Sequence, residues 1–150
     1  MMIRPAQPTD LPAIQALLTS HHLPLDDLAQ HLATAVVAEE DGRLVATAAL
    51  EVYGSEALLR SVAVAESQRR TGLGGQIVPA ILELAHQQGI GEVYLLTETA
   101  ASYFPRFGFQ PIARAEVAET VQQSAEFTTA CPASAQAMQL TLKSKHNERN

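Results

Sequence analysis

Residues 61–78 read SVAVAESQRRTGLGGQIV, and this stretch decides the fold. An apolar run fit for a buried strand breaks into Arg69 and Arg70, and Gly72, Gly74 and Gly75 then stand at the mouth of a helix-like segment. Backbone amides of such a turn converge on an anion, and a helix start adds unpaired N–H groups and the favourable end of its dipole. Glycine lets a diphosphate approach the backbone without interference from a Cβ. An adjacent arginine supplies paired planar donors. The Walker pattern G-x-x-x-x-G-K-S/T and the dinucleotide pattern G-x-G-x-x-G are both absent. Two readings stay open on spacing alone: a phosphate cradle, or a tight turn beside two solvated arginines.

Outward from this turn the chain alternates strand and helix signals. Met2 to Arg4 starts a strand that Pro5 and Pro8 end. TDLPAIQALLTS predicts a helix, with Thr9 or Asp10 as cap and Leu11, Ile14, Leu17 and Leu18 on one side. Asp26 to Ala33 predicts a second helix. TAVVAEEDGRLVATAALEVYG reads as a hairpin turning at Asp41-Gly42, and EALLRSVAVAE as a third successive strand. Ile77 to Gln88 is amphipathic and ends at Gly89. GEVYLLTET is a strand, Ala100 to Phe107 a short helix stopped by Gly108, and FQPIARAEV begins as a strand. Glu116 to Ser124 reads as helical and Ala135 to Leu142 as the last strand, before a polar tail, residues 143–150. Antiparallel neighbours followed by strand–helix–strand units predict a mixed sheet of the α+β (mixed α/β) class.

Bulk properties narrow the function. A chain of 150 residues with 47% hydrophobic and 17% charged residues is expected to form one globular domain, residues 1–150. Net charge of -6 argues against a general nucleic-acid partner, which needs a basic face. The single cysteine, Cys131, excludes an internal disulfide and argues against a structural zinc site. His21, His22 and His31 form no H-E-x-x-H pattern, so no metal is expected. MMIRPAQPTDLPAI has no apolar core of a signal peptide, and no run approaches a membrane span; the expectation is a cytoplasmic protein with no membrane partner.

The segment LLRSVAVAESQRRTGLGGQIVPAILELAHQQG, residues 58–89, resembles the acetyl-CoA motif of the GNAT N-acetyltransferase superfamily. Its signature Q/R-x-x-G-x-G/A is met by Arg69, Gly72 and Gly74. VYLLTETAASYFPRFGFQPI is similar to the second motif of that family, and the two together cover residues 58–112 in the expected order. The resemblance implies a GNAT fold with a splayed mixed sheet flanked by helices, and acetyl-CoA as co-substrate between two separating parallel strands. By the same likeness Val62, Ala63 and Val64 hold the pantetheine arm. The turn Arg69, Arg70, Thr71, Gly72, Leu73, Gly74 and Gly75 takes the pyrophosphate, and Ser102 lies near the cofactor. LLTETAASYFPRFGFQPI with AEFTTACPASAQAMQL also resembles the small acetyltransferases of arsenic-resistance operons. The LLT-x-TA…GF portion is similar to the acetyltransferase domain of N-acetylglutamate synthases. Both likenesses imply a small amino-acid-like amine acceptor; the likeness to the resistance-operon enzymes adds phosphinic or arsinic amino acid analogues and a resistance role.

Transfer to an amine needs a proton acceptor and, at most, an acid for the leaving thiolate. Glu51 and Glu98 are the candidate bases. Many members of the superfamily place a tyrosine acid where this chain has Phe104, leaving Tyr103, one residue away and about 100° around a helix, as the candidate acid. Arg60, Arg106 and Arg114 are candidate cations for an acceptor carboxylate, Arg60 and Arg106 foremost. Strand alternation predicts Arg60 on the face of Val62 and Val64. Two other readings stay open: a CoA-binding sensor domain with weak chemistry, and an acetyltransferase for protein N-termini or lysines. A homodimer, with residues 115–135 covering a neighbour's site, is compatible with the sequence and required by nothing in it.

Overall fold

The computed structural model describes residues 2–68, 71–130 and 134–142. Arg69, Arg70, Cys131 and the tail 143–150 lie outside the described residues. The strands are β1 (Met2–Pro5), β2 (Ala35–Glu40), β3 (Arg43–Tyr53), β4 (Glu56–Val64), β5 (Glu92–Thr97), β6 (Gln110–Ile112) and β7 (Gln136–Thr141). The α-helices are α1 (Leu11–Ser20), α2 (Gly74–Gln87) and α3 (Glu119–Gln122). All seven strands form one sheet in the order β1-β2-β3-β4-β5-β7-β6. Among the described residues β4 and β5 are its parallel neighbours, and the other pairs run antiparallel.

Local chemistry explains most of these elements. Asp41 and Gly42 both take positive φ, 52° and 77°, the turn geometry whose twist matches a two-residue hairpin, and they join β2 to β3 as the sequence predicts. The helix α2 starts three residues earlier than its apolar periodicity indicated, at Gly74, and carries Pro79 within its second turn. Two helices expected from the sequence are tighter than α-helices. The stretch expected as Asp26 to Ala33 is a 3-10 helix, Leu28–Thr34, entered through Asp27 at φ 57°. The one after β5 is a 3-10 turn, Phe104–Phe107, closed by Gly108 at φ 102°. Pro105 withholds an N–H there, which suits a short turn better than a propagating helix.

The sheet is covered on both faces. Ile77, Val78, Ile81 and Ala85 of α2 pack on one face, against Ala38, Ala46, Ala48 and Leu50. Small alanines on the strands let the helix lie close. On the other face Ile14 and Leu18 of α1 meet Leu28, Leu32, Val37 and Ala63, and Val121 of α3 meets Leu58 and Tyr94. Leu18 and Leu50 are fully buried, and truncating either to alanine costs about 2–5 kcal/mol.

Two irregularities shape the site. In the β3–β4 ladder Thr47 pairs with Ala63 and Ala49 with Arg60, so β4 carries one extra residue against β3. Ser61 stands in this bulge at φ 58°. The extra residue reverses the alternation beyond it: Leu59, Val62 and Val64 all pack toward α2, while Leu58 and Ala63 serve the opposite face. Arg60 therefore does not share a face with Val62 and Val64, and the expectation from uninterrupted alternation is corrected. The second irregularity lies between β4 and β5. They pair only over Glu56–Leu58 with Glu92–Tyr94 and then part, β5 continuing against β7.

Candidate active site

Where β4 and β5 separate, a cleft of about 660 Å³ opens. Its walls come from the far half of β4 (Arg60 to Val64), the end of β5 with Thr97 and Glu98, the start of α2 at Gly74, Tyr103, and the segment between α1 and the 3-10 helix Leu28–Thr34. Because β4 has no strand partner on this edge beyond Leu58 among the described residues, backbone donors and acceptors of its far half are available to a ligand.

At one end the cleft meets the turn before α2. Thr71 donates its hydroxyl to the Gln68 carbonyl, which holds the turn closed. Gly72 sits at φ 82° with nothing within 4 Å of a Cβ position, so the glycine answers to backbone conformation rather than to crowding. Leu73 is the residue before α2, and its side chain is buried in the α2 core, leaving only its backbone for a ligand. Gly74 lines the cleft, whereas Gly75 is exposed and lies outside its lining. Ser102 is also exposed and outside the lining. A Cβ on Gly74 would lie 2.3 Å from the Tyr103 hydroxyl, so the phenol fills the space that the glycine vacates.

Tyr103 is held edge-on by Phe104 and Phe107, with ring centroids 5.4 Å away in each case. The Arg106 guanidinium stacks 4.2 Å from the Tyr103 ring centroid, and its Nε donates to the Tyr103 carbonyl at 2.8 Å. Arg106 is exposed and absent from the cleft lining, so it braces Tyr103 rather than facing an acceptor. Phe104 is buried against Phe109, which gives it a packing role. Arg114 donates to the Ala135 and Phe127 carbonyls and also lies outside the lining.

The other end is polar and largely internal. Glu51 is buried, takes a hydrogen bond from Tyr53 at 2.5 Å, and forms an ion pair with Arg60 at 2.7 Å. Burial pushes the Glu51 carboxyl upward, but hydrogen bonds from Tyr53, Ser124 and Arg60 outweigh it and hold the group below its ordinary value. Burial, joined by the same contact with Glu51, drives the Tyr53 phenol up to about 12. His31 stands 3.9 Å from Glu51, and burial lowers its pKa against the opposing pull of that carboxylate. Glu51 does not line the cleft, and its two oxygens are engaged by Tyr53 and Arg60. The carboxylate read as a candidate base is thus occupied in an internal ion pair. Glu98 is the candidate that does line the cleft.

Sequence reasoning missed the cleft-lining segment around Pro24 and Asp26, together with Tyr53, Ser124 and Glu126. Tyr53 was within reach, because residues two apart on a strand share a face and Tyr53 follows Glu51 by two. Glu126 falls within AEFTTACPASAQAMQL, a segment singled out for its likeness but given no role, and no local signal marks Pro24, Asp26 or Ser124. Among the described residues no group of three His, Cys, Asp or Glu side chains could hold a metal ion. No helix there is long and apolar enough to cross a membrane.

The sequence profile of the acetyltransferase (GNAT) domain matches residues 31–111, over half of the 150-residue chain. The chain belongs to the GNAT acetyltransferase family. The matched span contains β3, β4, α2 and β5, the elements that build the cleft. An amino-acid acetyltransferase of Neisseria meningitidis serogroup B is 27% identical over 79% of this chain, which spans 29% of that protein. An uncharacterized N-acetyltransferase of Chlorobaculum tepidum is 28% identical over 59% of the chain and 57% of its own length. The chain thus spans little more than half of one curated relative and under a third of the other. Among solved structures, Rv2747 from Mycobacterium tuberculosis, in complex with CoA and NLQ, superposes with a TM-score of 0.80 at 26% identity. That match covers 95% of this chain and 100% of the other. N-acetylglutamate synthase from Neisseria gonorrhoeae, complexed with coenzyme A and N-acetyl-glutamate, shares the fold at TM-score 0.81 and 24% identity, over 95% of this chain and 35% of that one.

Proposed function

We propose that this GNAT chain is an N-acetyltransferase that moves acetyl from acetyl-CoA directly to the primary amine of a small amino-acid-like molecule. The observation that carries the reading is the parting of β4 from β5 after three residue pairs, which exposes one backbone edge inside a cleft next to the start of a helix. The residues fit a CoA thioester. An extended pantetheine arm carries amide groups that match the open edge of Val62 to Val64. The turn Thr71 to Gly74, with Gly72 in the left-handed region, suits a diphosphate at the head of α2.

The chemistry asks for few groups. The amine lone pair forms a bond to the thioester carbonyl carbon, the C–S bond breaks, and the amine sheds one proton. Glu98, which lines the cleft along with Asp26 and Glu126, takes that proton directly or through water. Backbone N–H groups of β4 polarise the carbonyl oxygen. A thiolate with an ordinary thiol pKa of about 8.5 leaves without an obligatory acid. No covalent acyl-enzyme is needed, and Ser61, already accepting from Arg60, is not activated as a nucleophile.

The amino-acid character of the acceptor is supported by the amino-acid acetyltransferases among the relatives. Phosphinic and arsinic amino acid analogues are the narrower candidates. The test is release of free CoA from acetyl-CoA in the presence of glutamate, aspartate, a phosphinic amino acid or a polyamine. Release stimulated by at least one α-amino acid is the expected result. CoA binding with no amine-stimulated release would identify a CoA-binding regulatory domain instead.

A further inference from the structure

The Arg60 side chain is 0% exposed, yet it joins four separate parts of the chain. Its Nη1 donates to Glu51 at 2.7 Å and to the Asp26 carbonyl at 2.6 Å, and Nη2 donates to the Pro24 carbonyl at 3.4 Å. Its Nε donates to Ser61 Oγ at 3.0 Å and lies 3.3 Å from a Glu126 carboxylate oxygen. Pro24, Asp26 and Glu126 all line the cleft, from opposite ends of the sequence. The segment carrying Pro24 and Asp26 is bounded by two residues in the left-handed region, His22 at φ 58° and Asp27 at φ 57°. Such backbone persists where surrounding contacts over-determine it. The donors of Arg60 reach two of the four carbonyls that lie between those ends, those of Pro24 and Asp26.

An arginine is suited to this work. Its rigid fork carries five N–H donors in diverging directions, whereas a lysine ammonium is a compact point on a flexible stem. Its charge is also answered twice within the protein, by Glu51 and Glu126. A guanidinium so enclosed has no open face for a third carboxylate.

We propose that Arg60 is a positioning residue: it clamps the 21–26 segment and Glu126 onto the bulge of β4, fixing the acceptor wall of the cleft, and does not itself bind the acceptor. The kinetic part of its test rests on the N-acetyltransferase reading; the structural part does not.

Arg60→Lys and Glu51→Gln in the full chain test the proposal by hydrogen exchange and by kinetics. The amides of Leu23 and Leu28 donate to the Leu18 and Leu25 carbonyls and report on the segment. Both should exchange faster in each variant, while those of α2 stay protected. In turnover the acceptor KM should rise on the order of tenfold, with the acetyl-CoA KM little changed. The same fold-loss should appear for an amino acid and for its carboxamide, which lacks the carboxylate. A loss confined to the carboxylate-bearing acceptor would make Arg60 its counter-ion and overturn the proposal. Unaltered exchange in both variants would overturn it equally. Glu51 lies outside the cleft lining, so Glu51→Gln decides the question alone should Arg60→Lys fail to fold. Absence of turnover with any amine sinks the proposed function while the exchange experiment still reads the clamp.

Discussion

The Tyr103 hydroxyl occupies the space that a side chain on Gly74 would need, 2.3 Å from the Cβ position. This contact ties the end of the β5 connection to the first residue of α2, across the mouth of the cleft. Gly74→Ala should displace the phenol and raise the acetyl-CoA KM. In a Tyr103→Phe background the same substitution should cost less, because the clashing oxygen is gone. Steady-state kinetics on the double-mutant cycle check this; strict additivity would show that the contact does not matter.

Tyr103→Phe by itself decides the acid role. Leaving-group chemistry places no requirement on the phenol, so kcat should stay near the parent value. A fall of about a thousandfold, within the upper range of general-acid contributions, would restore Tyr103 as an essential acid.

Gly72 is open on all sides but held at φ 82°. Gly72→Val should therefore disturb the turn through backbone strain of about 1–2 kcal/mol and raise the acetyl-CoA KM. Gly72→Asn, which tolerates the left-handed region, should do so much less. Equal KM values for both variants and the parent would remove the turn from the cofactor site.

Ser61 presents a similar test in the bulge, at φ 58°. Ser61→Gly relieves the backbone and forfeits the hydrogen bond from Arg60, so its stability should stay near the parent's. Ser61→Val places a β-branched residue in the left-handed region and should lose about 1–3 kcal/mol in urea denaturation.

Acid should weaken the fold in two windows. His31 has a folded pKa below its ordinary 6.5, so the unfolded chain takes up that proton first and stability falls as pH drops below 6.5. Glu51 is held below its ordinary 4.5; its contribution is complete above that value and is lost as pH falls through the depressed folded one. Melting temperature against pH should show the first decline reduced in His31→Gln and the second in Glu51→Gln. Profiles parallel to the parent's would contradict the assignment.

Much of the fold was legible without coordinates because the signals are local. The apolar runs of β2 to β4, the Asp41-Gly42 turn and the helical spacing of Ile77, Ile81 and Ala85 each depend on residues a few positions apart. The glycine-rich turn and its two flanking motifs are likewise contiguous, which is why the family could be read from residues 58–112.

Arg60, Glu51 and Arg106 show what the sequence by itself left undetermined. One extra residue at Ser61 reverses which side chains face α2, and nothing in the periodicity announces it. Arg60 meets Asp26 from 34 residues away, and Arg106 turns outward onto Tyr103 instead of inward. The sequence determined the order of elements, the glycine-rich turn and the family, since those rest on short-range backbone preferences. The tertiary structure alone decided which charges reach the cleft and which neutralise one another, since burial and ion pairing depend on where distant segments pack.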